Sequence, residues 1–259
     1  MPENTGNTPF LSIVTVTKDD PDGLQRTSAR IRQQTCQDFE WVVIDGDSGP
    51  QTTDFLEKTD AKWVSEPDSG IYDAMNKGIA RAKGQFILFL NAGDTFADNT
   101  VIEQIKAASS AQTDFIFGDS YEFGRYKPAR SSKIEYGMFT HHQAMLYHRD
   151  KLGELRYDLR YEIASDYDFT ARFLQANPNT LHLPLAICEF QPGGISQQKA
   201  NLGRAEQHQI RKELKLCSNF KNAFITGVQA CLWRLRKAVP SLYWRLKSSG
   251  NTAHAVSQT

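Results

Sequence analysis

Short apolar segments alternate with longer amphipathic ones over the first hundred residues of the chain. Three largely apolar runs, FLSIVTVT (10–17), FEWVVID (39–45) and QFILFLN (85–91), are typical of strands that are buried on both faces. The segment at 20–35, which follows the first run, has helical spacing and a proline near its start. Strands that alternate with helices in this way predict a mostly parallel sheet with helices on both faces.

The remaining elements are predicted from weaker patterns. A helix that ends at about Thr59 precedes a short strand at 61–66, and we expect Ser69 to cap a helix from about Gly70. From residue 113 the alternation loosens into a mixed or antiparallel part. The strands expected there are 114–123, 124–131, 144–149 and 181–191, and the helices expected there are 165–177 and about 197–217.

These patterns predict one Rossmann-like α/β domain with a C-terminal helical extension. A chain of 259 residues is long enough to bury one sizeable core. It contains no internal repeat and no low-complexity linker. We expect a flexible N-terminus at 1–9, the α/β domain at 10–217, and a basic, amphipathic extension at 218–259.

The charge of the chain is balanced overall but unevenly distributed. Lys plus Arg and Asp plus Glu both number 30, so the net charge gives no case for nucleic acid as a partner. The last acidic residue is Glu213. The basic residues after it are Lys215, Lys221, Arg234, Arg236, Lys237, Arg245 and Lys247. A basic tail on an acidic body indicates an anionic partner surface for the tail.

Apolar residues in the same tail recur at helical spacing. They are Ala223, Phe224, Val228, Cys231, Leu232 and Leu235, with Trp233 and Arg234 among them. Aromatic and basic side chains beside an apolar stripe are typical of a helix that lies on an anionic membrane surface. The alternative is a helix that packs on the rest of the chain or on a second copy in a homodimer.

Cysteine usage and the N-terminus predict a compartment. Cys36, Cys188, Cys217 and Cys231 have no metal-ligand spacing, so we expect free thiols in a reducing environment. The N-terminus does not resemble a signal peptide, and no apolar run is long enough to span a bilayer. We therefore predict a cytoplasmic protein, peripheral on the inner face of the cytoplasmic membrane if the tail binds there.

Two carboxylates stand where strands end. Asp45 ends the second strand, and Asp94 follows the fourth strand in a tight turn with Gly93. In open α/β sheets ligands bind outside the carboxyl ends of the strands. A single carboxylate there can hold Mg²⁺ or Mn²⁺, which completes its shell with water and substrate phosphates. The alternative is that Asp94 is only a turn residue, because Asp is favoured in such turns.

Two common nucleotide-binding classes are disfavoured. Neither a GxxxxGK[ST] loop nor a GxGxxG loop follows the first strand. A P-loop ATPase and a dinucleotide-dependent dehydrogenase both need such a loop to cradle phosphates. A different phosphate-bearing substrate is therefore expected.

Longer motifs point to one family. SIVTVT, EPDSGIYDAMNKGIA, FLNAGD, HHQAMLYHR, YEIASDYDFTARFL and EFQPGGIS occur in this order. Together they resemble the family 2 glycosyltransferases of GT-A fold over about residues 10–200, most closely the bacterial exopolysaccharide and colanic-acid-cluster enzymes. The resemblance implies a UDP- or GDP-sugar donor, a divalent cation, inverting transfer to a hydroxyl, and an oligosaccharide acceptor linked to polyprenyl diphosphate.

The resemblance also implies roles on the donor side. Thr15 and Thr17 lie where the family cradles the base and ribose, and Asp45 matches the aspartate that binds the nucleobase. Other matched positions are Asp73 and Asn76, which line the nucleotide pocket, Asp94, which bridges the metal to the diphosphate, and Asn91, a weak or water-mediated ligand. Many members have two or three acids in the metal motif, whereas NAGD keeps one.

On the acceptor side the resemblance implies that Asp166 is the general base, with Ser165 where the family has Glu. Asp168 is the competing candidate. It lies two residues further along the predicted helix, so its side chain should point away from that of Asp166. Alternatively, both acids only favour the dipole of a helix N-terminus. His142 and Gln143 match a block near the donor phosphates and the acceptor. Gly193, Gly194 and Ser196 match a loop that closes over the site, or form a plain turn.

Two other functions remain open at this point. A sugar nucleotidyltransferase also uses an α/β sheet and a metal, but it needs a Gly-rich basic loop that TVTKDDPDG matches poorly. A non-catalytic sugar-nucleotide-binding protein would suit the single metal acid. The presence of Asp45, Asp94 and Asp166 together argues against it.

Overall fold

A computed structural model describes residues 8–129, 133–191 and 199–238. The strands in these ranges are β1 Leu11–Thr17, β2 Phe39–Asp45, β3 Lys62–Ser65, β4 Phe86–Phe89, β5 Thr95–Phe96, β6 Phe115–Glu122, β7 Arg125–Lys127, β8 Met145–His148 and β9 Thr180–Phe190. The helices are α1 Pro21–Arg32, α2 Pro50–Leu56, α3 Ile71–Arg81, α4 Val101–Ala108, α5 Arg149–Leu152, α6 Ser165–Ala176, α7 Ala200–Glu213 and α8 Asn219–Ala238.

The strands form one sheet in the order β3-β2-β1-β4-β8-β6-β9-β5, with β7 paired to β6. The first four strands in this order are parallel, as the alternation predicted. β8 is antiparallel to β4 and to β6, so β6 runs in the direction of β4, and β9 is parallel to β6. The carboxyl ends of β1, β2, β4, β6 and β9 therefore meet at one edge of the sheet.

The β1 strand is buried throughout because helices cover both of its faces. Leu11 and Ile13 enter the core that contains Leu24 of α1. Val14 enters the opposite core, where Gly78 of α3 packs on it; a Cβ at that position would lie 2.3 Å from the Val14 Cγ1 atom. Glycine thus lets α3 lie directly on the sheet, and the helix carries its N-terminus to the carboxyl edge.

Several local predictions need correction. Ser69 does not cap α3 with its side chain; Gly70 is the N-cap residue at φ 131°, and the Ser69 N–H donates to Asp73 Oδ2 instead. The strand expected at 124–131 is only three residues long. α4, whose buried Val101, Ile102 and Ile105 recur at helical spacing, and the two-residue strand β5 were not predicted.

The described part of the chain ends in two packed helices. The fully buried Arg211 of α7 donates to Asn222 Oδ1 and Thr226 Oγ1 of α8, which joins the two helices. None of the described helices is long and apolar enough to cross a membrane. All four cysteines are free thiols, as expected. The division into 1–9, 10–217 and 218–259 stays a prediction, and residues 1–7 and 239–259 lie outside the described part of the chain.

Candidate active site

A cleft of about 1060 Å³ opens at the carboxyl edge of the sheet. Its walls come from the end of β1, the turn after β4, the start of α3, the segments before β8 and α6, and the end of β9. A smaller hollow of about 570 Å³ near the starts of β1 and β2 is lined by charged side chains such as Glu40 and Lys62, which pair with each other. The larger cleft, where strand ends converge, is the candidate active site.

The turn after β4 is held in place by helix α1. Thr27 of α1 accepts a hydrogen bond from the Gly93 N–H (3.0 Å) and donates to the Asp94 carbonyl (2.7 Å). Gly93 has φ 94°, a conformation that glycine adopts without strain. This clamp points the Asp94 carboxylate into the cleft.

The Asp94 carboxylate is only 4% exposed. Its Oδ2 accepts from Gln143 Nε2 at 2.6 Å and its Oδ1 from the Gln191 N–H at 2.8 Å. Burial raises its pKa to about 6, although these hydrogen bonds and the nearby His142 act in the opposite direction. A desolvated carboxylate of this kind is stabilised in its charged form when a cation binds beside it.

The donor atoms around Asp94 fit a hard divalent cation. Thr17 Oγ1, Asn91 Oδ1 and Gln143 Oε1 are buried in cleft-lining residues without a hydrogen-bond partner among the described atoms. No group of three His, Cys, Asp or Glu side chains that could hold a metal occurs in the described residues. Asp94 and these neutral oxygens form a set that suits Mg²⁺ or Mn²⁺ bound together with substrate phosphates.

Asp166 lies on the other side of the cleft, in the first turn of α6. Its Oδ2 is 3.6 Å from His142 Nδ1, and His142 Nε2 is 3.3 Å from Asn91 Nδ2. If the Asn91 amide donates to Nε2, the imidazole presents its Nδ1 proton to Asp166. A short chain of polar groups therefore connects Asp166 to the turn that carries Asp94.

Asp168 does not line the cleft. Its carboxylate is buried and pairs with Arg172 one turn along α6, with 2.8 Å between Nε and Oδ2. Burial raises the pKa of Asp168, and Arg172 partly offsets that rise. Of the two acids that the sequence placed in competition, only Asp166 faces the cleft.

Three predicted donor-side residues are not among those that line the cleft. The Thr15 hydroxyl accepts from Trp41 Nε1 inside the core. Asn76 exchanges two hydrogen bonds with the Tyr157 backbone, at 3.0 and 2.8 Å. Asp73 accepts from the Ser69 N–H and lies 3.8 Å from Lys77 Nζ. The structure does not bring these three side chains to the cleft, and each has partners outside it.

Asp45 is also fully buried, at the end of β2. Both carboxylate oxygens accept hydrogen bonds, from the Ser48 N–H and hydroxyl and from the Ser65 hydroxyl. Asp45 therefore fixes the turn after β2 and joins it to β3. Thr17, in contrast, lines the cleft, and its role toward the donor stays a prediction.

Sequence reasoning missed several cleft residues. Asp68 lines the cleft just beyond β3, and the strand-end signal that identified Asp94 could have found it. Glu122, at the end of β6, lies 3.1 Å from Lys127 Nζ and 3.8 Å from His141 Nε2, and these neighbours lower its pKa to about 2. The Phe190 ring stacks on the His141 imidazole, with 4.4 Å between the ring centroids. The sequence has no signal for these long-range contacts.

Three consecutive residues before β8 reach three parts of the cleft. His141 approaches Glu122, His142 approaches Asp166, and Gln143 binds Asp94. This segment, residues 141–143, is called the HHQ segment below. It thus contacts residues on three walls of the cleft. The predicted loop with Gly193, Gly194 and Ser196 lies outside the described residues.

Comparisons with known proteins identify relatives. Residues 12–173 match the model of "Glycosyl transferase family 2". The chain is 33% identical to the uncharacterized glycosyltransferase Rv1514c of Mycobacterium tuberculosis over 74% of this chain and 78% of that protein. It is 29% identical to the PGL/p-HBAD biosynthesis glycosyltransferase Rv2957 of the same species, over 73% and 79%. These relatives are mycobacterial glycosyltransferases and do not single out the colanic-acid cluster.

Solved structures share the fold at low identity. TarS of Staphylococcus aureus, in complex with UDP-GlcNAc, matches with a TM-score of 0.66 and 16% identity, covering 88% of this chain and 73% of that chain. The mannosyltransferase PcManGT of Pyrobaculum calidifontis, in complex with GDP-Man and Mn²⁺, matches with a TM-score of 0.61 and 13% identity, covering 96% and 81%. These matches confirm the predicted GT-A fold.

Proposed function

The chain belongs to glycosyl transferase family 2 and is a glycosyltransferase, and from this premise we propose that it catalyses inverting transfer from a UDP- or GDP-sugar to a lipid-linked oligosaccharide. The acceptor would be carried on polyprenyl diphosphate, in the synthesis of an exopolysaccharide or O-antigen. The observation that carries the proposal is the placement of Asp94 and Asp166 in one cleft, joined through Asn91 and His142.

Asp166 is proposed as the general base. It would take the proton of the acceptor hydroxyl while that oxygen attacks the anomeric carbon and the bond to the donor diphosphate breaks. Attack from the side opposite the leaving group inverts the anomeric centre. His142 would orient the Asp166 carboxylate, because its ring lies between Asp166 and Asn91.

The leaving diphosphate would lie over the Asp94 turn. A divalent cation, Mg²⁺ or Mn²⁺, would be held by Asp94 with the neutral oxygens of Asn91 and Gln143 nearby, and would offset the charge that develops on the diphosphate. Gln143 and Gln191 orient the carboxylate that does this.

Thr17 and Asp68 line the cleft and are the side chains we propose for contact with the nucleoside. Asp45 would act indirectly by fixing the turn after β2. Thr15, Asp73 and Asn76 would support the walls rather than touch the donor. The structural neighbours named above hold UDP-GlcNAc in one case and GDP-Man in the other, so both nucleotide classes are part of the proposal.

Thermal shifts of the wild-type protein test which sugar nucleotide is the donor. We expect one class of sugar nucleotide, UDP or GDP, to raise the melting temperature only when Mn²⁺ is present, because a ligand that binds the folded state alone stabilises it. At a donor concentration about 100 times its Kd, the stabilisation would be about 2.7 kcal/mol. The measurement is a thermal-shift panel of both nucleotide classes with and without Mn²⁺. No shift with any donor would contradict the proposal, and donor hydrolysis without an acceptor would exclude a pure binding protein.

An anionic membrane is the proposed surface that presents the acceptor. The outer face of α8 carries Phe220 (85% exposed), Phe224 (63%), Val228 and Leu232, which recur every fourth residue. The exposed small residues Ala223, Gly227 and Cys231 lie between them, so this face has no charged side chain from 219 to 232 except the half-buried Lys221. Because the chain after Glu213 is basic and has no acidic side chain, an anionic bilayer complements it better than a second copy does.

Vesicle flotation tests this surface. We expect the wild-type chain to float with phosphatidylglycerol-containing vesicles at low salt, and the double variant Phe220→Ser, Phe224→Ser to lose at least about tenfold in bound fraction, because two large apolar side chains no longer insert. The matched control is Phe123→Ser, an exposed phenylalanine in the turn between β6 and β7. A wild-type protein that ignores these vesicles but sediments as a dimer would place a second copy on α8 instead.

A further inference from the structure

Glu206 of α7 binds three consecutive backbone amides. Its Oε1 accepts from the Glu162 N–H at 2.8 Å, and its Oε2 accepts from the Ile163 N–H at 2.9 Å and the Ala164 N–H at 2.8 Å. The side chain is almost fully buried. One carboxylate thus satisfies three donors in a segment that has no regular structure of its own.

The bound segment leads directly into the helix that carries Asp166. Ala164 is the N-cap residue of α6, and no side chain of its own caps this helix end. Ile163 is also held from the other side, because the Tyr72 hydroxyl of α3 donates to its carbonyl at 2.8 Å. Glu206 and Tyr72 therefore fix the backbone of residues 162–164 between two helices, two residues before the proposed base.

The sequence of α7 is adapted to this approach. Gly203 faces Ile163, and a Cβ there would lie 2.9 Å from the Ile163 Cγ2 atom. Ile210, two turns further along α7, packs with Tyr161 and Ala164 in a small apolar cluster. Glycine, glutamate and isoleucine thus place one face of α7 against the segment before α6.

We propose that Glu206 is a positioning residue that holds Asp166 at the reacting centre, an inference that rests on the proposed role of Asp166 as general base. α7 begins at Ala200, beyond the residues 12–173 that match the family model, yet through Glu206 it contributes to the cleft. Glutamine cannot replace the carboxylate. Its amide has one acceptor oxygen, and its NH₂ group would face a backbone N–H.

The test compares Glu206→Gln with Glu213→Gln in the full chain. Glu213 ends the same helix, and within the described part of the chain its hydrogen bonds come from side chains, among them Tyr161 and Arg160. Hydrogen exchange resolved at residues 162–164 should be at least about tenfold faster in Glu206→Gln and unchanged in Glu213→Gln, because charge-assisted hydrogen bonds to those amides are lost.

Kinetics test the positioning role separately. Turnover of a sugar nucleotide that the wild type hydrolyses should fall about tenfold to a hundredfold in Glu206→Gln, while the KM for the donor stays within about twofold. Unchanged exchange at 162–164 would overturn the clamp. Faster exchange with normal turnover would overturn the positioning role. If the wild type turns over no sugar nucleotide, the proposed function and with it the positioning role fail, and the exchange data still decide the clamp on its own.

Discussion

Asp166→Asn is expected to lower the turnover of the sugar nucleotide by a factor of about 10² to 10⁴, the range typical for loss of a general base. The amide has the size of the carboxylate, so the geometry next to His142 is kept while the proton acceptor is lost. The melting temperature and the donor KM should stay close to the wild-type values. Release of nucleoside diphosphate at saturating donor is the measurement, with an acceptor added once one is known.

Asp168→Asn is the matched control on the same helix. It removes one partner of an ion pair with Arg172, whose guanidinium is partly exposed and also donates to the Arg156 carbonyl, so the loss of this charge-assisted hydrogen bond should cost about 1–3 kcal/mol. We therefore expect this variant to lose stability, and to keep turnover at temperatures where it stays folded. Near-normal turnover of a folded Asp166→Asn protein would remove the base assignment.

Asp94→Asn is expected to abolish the cation-dependent part of donor stabilisation. The asparagine oxygen can still accept from the Gln191 N–H, and Gln143 can turn its unpaired Oε1 toward the new NH₂ group. The local structure should therefore persist without the charge that binds the metal. A donor shift with Mn²⁺ of the wild-type size would show that Asp94 is not the ligand.

The same substitution should change how stability depends on pH. The pKa of Asp94 is raised by burial from 3.8 to about 6, so the folded state binds this proton more tightly than the unfolded state does. The free energy of unfolding of the wild type is therefore highest, as far as Asp94 is concerned, below about pH 4. It falls by about 3 kcal/mol in total as the pH rises through about 6. Without metal, Asp94→Asn should thus gain stability over the wild type between pH 4 and 7. Urea unfolding at pH 5 and pH 8 measures this gain, and an equal difference at both values would contradict it.

The sequence predicted those parts of the fold in which local pattern and burial agree. FEWVVID forms β2 with the predicted ends because its apolar residues enter cores on both sides of the sheet. Asp94 lines the cleft because it follows a strand that ends at the carboxyl edge of such a sheet, whereas Asp166, which also lines the cleft, was identified through the family resemblance.

What could not be predicted depends on partners far away in the chain. Asn76 lies on a helix whose first turn lines the cleft, yet its amide is bound by Tyr157, 81 residues away. Asp45 lies at a strand end, as expected, but the Ser65 hydroxyl of the neighbouring strand donates a hydrogen bond to its carboxylate. Glu206 reaches a backbone segment more than 40 residues earlier in the chain, and no local motif accompanies it. Such contacts arise only when the elements pack together.

The HHQ segment has a consequence for engineering. Three adjacent side chains of this segment contact Glu122, Asp166 and Asp94. A single inserted or deleted residue would therefore displace all three contacts at once. Chimeras that exchange sugar preference between relatives should therefore carry residues 137–148 as an undivided block. The turn between β6 and β7, with Phe123 exposed at its tip, is the better place to vary length.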